Sequence, residues 1–214
     1  MIIYAIPGLG TTEKLFVNLQ ISGVEIIVLK WPISEKEDTM ITYARKFLPQ
    51  MNTEQPFCLL GVSFGGMLCV ELSKILSPKK VFLISTCKTK HELPWFIRGF
   101  KYVPFHDIIS EKQYRKMAYL GRSIIGFGKA FVPEFLAMVN SMKENYFKNC
   151  IHIITNWDRD ELPKNSVHIH GNADKLLLYK NVKADYTIEK GSHAMIVFQA
   201  EEINKIIEKE LKIS

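Results

Sequence analysis

Apolar and polar positions along this chain change rhythm twice. Short, unalternating apolar runs at residues 2–6, 24–29, 57–60 and 80–86 read as buried strands, because a strand covered on both faces shows no polar alternation. Between them the spacing is helical. Thr12 is placed to cap a short helix reaching about Leu19, and Asp38 or Thr39 caps a segment carrying Ile41, Ala44, Phe47 and Leu48. Leu68, Leu72, Ile75 and Leu76 share a face in the next one. Strand and helix in alternation predict a parallel sheet with right-handed crossovers and helices on both faces. From about Cys87 to Asn149 no segment reads as a strand. Amphipathic helical stretches take over, broken near Pro94, Pro104, Gly121, Gly126, Gly128 and Pro133. The first rhythm then returns: a helix at 151–157, strands at 166–170 and 186–189, and a last helix from 194 to about 211.

The expectation is an α/β protein, a doubly wound and mainly parallel sheet of about six strands with a helical insertion. Residues 1–87 and 150–214 form the core and 88–149 the insertion. The insertion is rich in aromatics, Phe105 among them, and most must simply pack it against the sheet. A sharper reading makes it a lid whose inner face, lined by residues such as Trp95, Phe131 and Phe135 with Met117, Met138 and Met142, suits an apolar substrate.

Composition narrows the classes. With 214 residues, 47% hydrophobic and 23% charged, the chain can bury one sizeable core. The net charge of +6 is spread without a basic run of five or more, so a nucleic-acid stripe is not expected; a mildly basic surface favours anionic substrates or carriers. No apolar run approaches the roughly 20 residues of a membrane span, and residues 1–6 lack a basic leader. Cys58, Cys69, Cys87 and Cys150 are widely spaced and read as reduced, buried thiols. Together these place the protein in the cytoplasm.

The chemistry centres on Gly61-Val62-Ser63-Phe64-Gly65, which sits between the third predicted strand and its helix. A serine in a tight strand-to-helix turn needs small residues two positions to either side, and the turn lifts its hydroxyl above the sheet edge. Gly66 lets the helix lie close. Earlier, Pro7-Gly8-Leu9-Gly10 follows the first strand, but neither G-x-G-x-x-G nor G-K-[ST] is completed; the loop is suited instead to offering a backbone amide to a ligand, and no cofactor is implied. Ligands of open α/β sheets gather beyond the carboxyl ends of strands, where Asp174 and His193 also fall. Serine needs a base beside it, histidine is the base of matching pKa, and a buried carboxylate fixes the imidazole tautomer. Asp158 and Asp160 precede their strand, at the wrong end. Thr86 and Cys87 hold another strand end without a carboxylate, and His91 and His106 fall in the insertion. His168 and His170 share a strand face, with no third metal ligand nearby.

On Pro7-Gly8-Leu9-Gly10, Gly61-Val62-Ser63-Phe64-Gly65-Gly66, His170-Gly171-Asn172-Ala173-Asp174 and Gly191-Ser192-His193, nearly the whole chain resembles the α/β-hydrolase superfamily. It is most similar to the small, lidded esterases and thioesterases. The resemblance implies Ser63 as nucleophile, His193 as general base and then acid, and Asp174 as the orienting acid. The amides of Leu9 and Phe64 would form the oxyanion hole. It departs from the family in starting at what would be the third strand, hence the trimmed sheet, and in opening the first loop Pro-Gly instead of His-Gly. A serine at the elbow argues against dehalogenase and epoxide-hydrolase chemistry. It implies acyl transfer: hydrolysis of a carboxylic ester of a small or medium apolar acyl group, with a thioesterase or acyltransferase using acyl-CoA or an acyl carrier as the alternative. Carbon–carbon bond hydrolysis and perhydrolysis use the same residues and stay open on this reading. A silent binding protein of the same fold would need no complete Ser-Asp-His set.

Overall fold

The computed structural model describes residues 1–102 and 109–212; Pro104, Phe105 and His106 lie outside them. Six parallel strands form one sheet in the order β2-β1-β3-β4-β5-β6: β1 (Ile2–Ile6), β2 (Glu25–Val28), β3 (Phe57–Val62), β4 (Val81–Ile84), β5 (Ser166–Gly171) and β6 (Tyr186–Ile188). The four inner strands are almost wholly buried and the edge strands β2 and β6 only partly so. For β1, β3 and β4 that matches the apolar runs, since a parallel sheet is covered by its own crossovers, while β5 buries His168 and His170 among its apolar residues. The winding reverses between β1 and β3. Crevices for ligands form at such a reversal, outside the carboxyl ends of the flanking strands.

Helix α1 (Met40–Arg45) is capped by Thr39, whose side chain accepts from the Thr42 amide in a reciprocal pair. Helix α2 (Phe64–Ile75) starts directly after Ser63, four residues before the apolar face that begins at Leu68. The Thr12 segment is only a 3-10 turn at Glu13–Phe16, and Thr12 makes no side-chain cap. Between β4 and β5 the described residues form α3 (Trp95–Gly99), α4 (Glu111–Ile125), α5 (Val132–Ser141) and α6 (Tyr146–Thr155). Helix α6 runs across the expected boundary at 149/150 and joins both parts. The closing helix is two: α7 (Met195–Phe198) and α8 (Ala200–Lys212). No described helix is long and apolar enough to cross a membrane, and all four cysteines are buried and unpaired.

Candidate active site

Ser63 stands at the tip of β3 with φ 54° and ψ −120°, a conformation that costs a non-glycine residue about 1–3 kcal/mol. Its surroundings enforce it. The Ser63 amide donates to the Ile84 carbonyl at 3.0 Å and the Thr86 hydroxyl donates to the Ser63 carbonyl at 2.6 Å. A Cβ on Gly61 would strike the backbone of Gly65, and one on Gly65 would strike the carbonyls of Ile6 and Pro7. In the sequence Thr86 is only a strand end without a carboxylate; its role as the clamp on the serine turn carries no signal in a single sequence.

The loop after β1 comes up beside the serine, with a Cβ on Gly8 lying 3.5 Å from that of Ser63. Both the amide and the hydroxyl of Thr11 donate to the Gly8 carbonyl, at 3.0 and 2.8 Å. The Gly10 amide donates to the Tyr146 hydroxyl at 3.3 Å. Trp31 donates to the Thr11 carbonyl at 2.7 Å and stacks on Phe64, centroids 5.7 Å apart. The loop bearing the Leu9 amide is therefore held on three sides. Phe64 opens α2, so its N–H is among those that a first helical turn leaves without an intrahelical acceptor.

Asp174 and His193 come from the loops after β5 and β6. These loops are seated against each other: the Ala173 amide donates to the Gly191 carbonyl at 3.0 Å, and a Cβ on Gly171 would strike that carbonyl. Asp174 is buried. Its Oδ1 accepts from the amides of Leu176 and Leu177 at 2.8 and 2.9 Å, and its Oδ2 lies 2.7 Å from His193 Nδ1. Burial alone would raise this carboxyl, but His193 and His170 beside it hold it well below the usual carboxylate range. A carboxylate only accepts, so Nδ1 of His193 carries the proton and Nε2 is left as an acceptor.

A second histidine reaches the same acid. His170 is fully buried, with Nε2 2.8 Å from the Leu177 carbonyl and 3.4 Å from Asp174 Oδ2. Its Nε2 must bear a proton, since a carbonyl accepts only, which leaves Nδ1 to accept from His168 Nε2 at 3.2 Å. The two side chains thus bond to each other. Burial, then His170 and Lys88, push His168 well below the ordinary histidine range. The fixed spacing from residue 170 to 174 was in view in the sequence; what it joins became visible only with the loop's path. Asp158 and Asp160 stand apart at the surface, paired with Lys90 and, for Asp160, His91.

Gly8, Leu9, Ser63, Phe64 and His193 share one cavity of about 380 Å³, otherwise walled mainly by apolar side chains of α2 to α6 and the Leu176–Leu177 turn, with Thr11, Tyr114 and Thr155 adding hydroxyl-bearing side chains. Of the six lining residues expected from sequence, Phe135 and Met117 are in this wall, while Met138 and Met142 are buried outside it. Trp95 is 82% exposed and outside it. Phe131 is also outside, stacked on Phe127 with centroids 5.1 Å apart, while Phe127 itself lines the cavity. Phe96, Phe100, Tyr114 and Phe147 complete the aromatic wall. Tight serine turn, glycine loop and paired acid and histidine all lie at the carboxyl end of one six-stranded parallel sheet, and solved structures match the fold of that sheet and its helices over nearly the whole chain. The chain has the α/β-hydrolase fold. The esterase EaEST from Exiguobacterium antarcticum superposes with a TM-score of 0.71 at 14% identity, over 99% of this chain and 92% of that one. A thermophilic esterase gives 0.67 at 19%, over 98% and 89%. The type II thioesterase YbtT of a yersiniabactin NRPS/PKS pathway gives 0.65 at 12%, over 98% and 92%. No family model and no curated protein matches the sequence. The α/β-hydrolase likeness is thus carried by the backbone, over nearly the full length of both partners.

Proposed function

We propose that this protein is a serine hydrolase that cleaves carboxylic esters of small or medium apolar acyl groups. His193 Nε2 takes the Ser63 proton as Oγ attacks the carbonyl, and the oxyanion settles on the amides of Leu9 and Phe64. Asp174 keeps the imidazole in the tautomer the step needs and stabilises the imidazolium. His193 then protonates the departing alcohol, leaving an acyl-enzyme on Ser63. Water, deprotonated by the same histidine, releases the acid. The observation that carries the reading is the buried 2.7 Å contact of His193 Nδ1 with Asp174, in a residue that shares one apolar cavity with the strained Ser63. Helices α3 to α5 act as the lid over that cavity. The cavity lining contains no Lys, Arg, Asp, Glu, Asn or Gln among the described residues, which favours an apolar acyl group.

A fluorophosphonate probe tests the nucleophile: labelling of the parent protein that disappears in Ser63→Ala is expected, and labelling that survives the substitution defeats the assignment. The second reading is a thioesterase or acyltransferase on carrier-bound acyl groups. Among the fold's relatives are YbtT and ClbQ of the colibactin NRPS/PKS pathway, the latter at 15% identity and TM-score 0.61. Comparing kcat/KM on p-nitrophenyl esters and on acyl-CoA of equal chain length separates the two.

A further inference from the structure

Exposed apolar side chains are unevenly distributed over this molecule. Of the fifteen large ones among the described residues, eight lie between Trp95 and Ile124, on α3, α4 and the residues just after α3. Trp95 and Tyr102 are each 82% exposed, Leu120 61%, Met117 53% and Ile124 50%. Residues 117, 120 and 124 follow helical spacing and form one stripe on α4. The stripe borders the cavity: Phe96 and Ile97 of α3 and Met117 and Ile124 of α4 line its wall while Phe96, Met117 and Ile124 also stand exposed.

Charge follows the same map. Residues 95–125 contain six Lys and Arg against Glu111 and Asp107, so four of the chain's six net positive charges fall in this stretch. Arg98, Lys101, Lys112 and Lys116 are exposed among the apolar side chains, whereas Arg115 turns inward to the Val139 carbonyl at 2.6 Å. Large apolar and aromatic side chains interleaved with exposed cations are the pattern by which helices lie in the headgroup layer of an anionic membrane.

We propose that the outer face of α3 and α4 docks on an anionic lipid layer, and that an apolar acyl substrate passes from that layer into the cavity. Docking is a property of this face alone and does not depend on the Ser63 chemistry. A second copy of the chain fits less well, because a two-fold contact would set this cationic patch against the same cationic patch. An acidic carrier protein answers the charge but not the cavity, whose lining offers no charged or amide side chain to hold the polar arm that a carrier inserts. Each cation near an anionic surface is worth about fivefold in partitioning.

The test is co-sedimentation of the full chain with vesicles of phosphatidylcholine alone and with about one third phosphatidylglycerol. The expected result is binding to the anionic vesicles that weakens with added salt. Lys112→Glu with Lys116→Glu lowers it by at least about 25-fold. Trp95→Ala and Leu120→Asp also lower it, and Leu162→Asp, at an exposed apolar residue elsewhere on the surface, does not. No preference for anionic vesicles, or a preference that the four substitutions on α3 and α4 leave intact, overturns the proposal. So does saturable binding to an acidic carrier protein without vesicle binding, or dimerisation that Leu120→Asp abolishes. Ser63→Ala sediments as the parent does, so failure here leaves the hydrolase reading untouched, and an inactive enzyme leaves the docking reading untouched.

Discussion

At the carboxyl ends of β3 and β5 an added methyl group has nowhere to go: at Gly61, Gly65 and Gly171 it would meet backbone atoms of the neighbouring turn. On the helices between β4 and β5 the opposite holds, and nothing lies within 4 Å of a methyl built on Gly99 or Gly121. The first region is packed backbone on backbone, with the Ser63 turn and the Asp174 carboxylate each held by several hydrogen bonds. The second leaves apolar side chains standing in solvent around a cavity mouth. Reaction chemistry needs atoms held to fractions of an ångström, while binding a variable acyl chain needs only apolar wall and room. The contrast divides the labour within one site.

The largest effect expected on the rigid side is chemical. Ser63→Ala lowers kcat/KM by about 10⁴-fold or more, with unfolding free energy unchanged because alanine inherits the same strained φ. Ser63→Gly is equally inactive but more stable by about 1 kcal/mol, since glycine populates that region freely. Ester turnover and urea midpoints on the three proteins check both. An unchanged rate in Ser63→Ala removes the reaction from this end of the sheet. Next comes packing. Gly171→Ala forces its Cβ onto the Gly191 carbonyl and costs about 3 kcal/mol, a fall in Tm of roughly 6–12 °C for a chain of this size. Because the displaced turns carry Asp174 and His193, activity falls with it. A Tm unchanged by Gly171→Ala would show that this end of the sheet yields as easily as the helices do.

The same division explains what could be read from sequence. The serine turn, the glycine loop and the order of Ser63, Asp174 and His193 were legible because each depends on local backbone geometry that only a few residue types tolerate. The central strands β1, β3 and β4 were legible because burial on both faces leaves a nearly unbroken apolar run. The cavity wall was not. An aromatic on a short amphipathic helix has the same local pattern whether it faces inward, as Phe135 and Phe127 do, or outward, as Trp95 does. The break between α7 and α8 was hidden for a similar reason, since Ile196, Ile203 and Ile207 keep a helical spacing across Gln199. The link from His170 to Asp174 depends on how one loop folds back, which spacing alone leaves open.

A smaller effect separates the two regions by pH. His168 stays neutral in the fold at pH values where it would charge in the unfolded chain, so the unfolded state binds more protons below about pH 6.5. Stability therefore falls as pH drops through 6.5, by about 1.4 kcal/mol per pH unit from this one residue until its folded pKa is reached. The depressed Asp174 carboxyl adds a further loss only below about pH 4, the unfolded carboxylate's value. The neighbouring charge is Lys88, and Asp185 holds the His168 amide at 2.7 Å. Urea midpoints between pH 7.5 and 4.5 should show His168→Gln flatter than the parent across pH 6.5 to 5; parallel curves would move the acid sensitivity elsewhere.

The gentlest expected change lies on the open side, at Gly121. It sits in the interior of α4, where glycine costs roughly 0.5–1 kcal/mol relative to alanine through backbone entropy. Its φ is not in the left-handed region and no atom blocks a methyl there, so Gly121→Ala recovers that amount and raises Tm by about 1–4 °C. The new methyl projects at the cavity wall, into space an acyl chain can share. Rates on short p-nitrophenyl esters should stay within about twofold of the parent. The sign of the Tm change decides the comparison: a gain at 121 beside a loss at 171 means that rigidity is concentrated where the chemistry is. A loss at 121 of the size seen at 171 would mean that α4 is clamped as tightly as the sheet end.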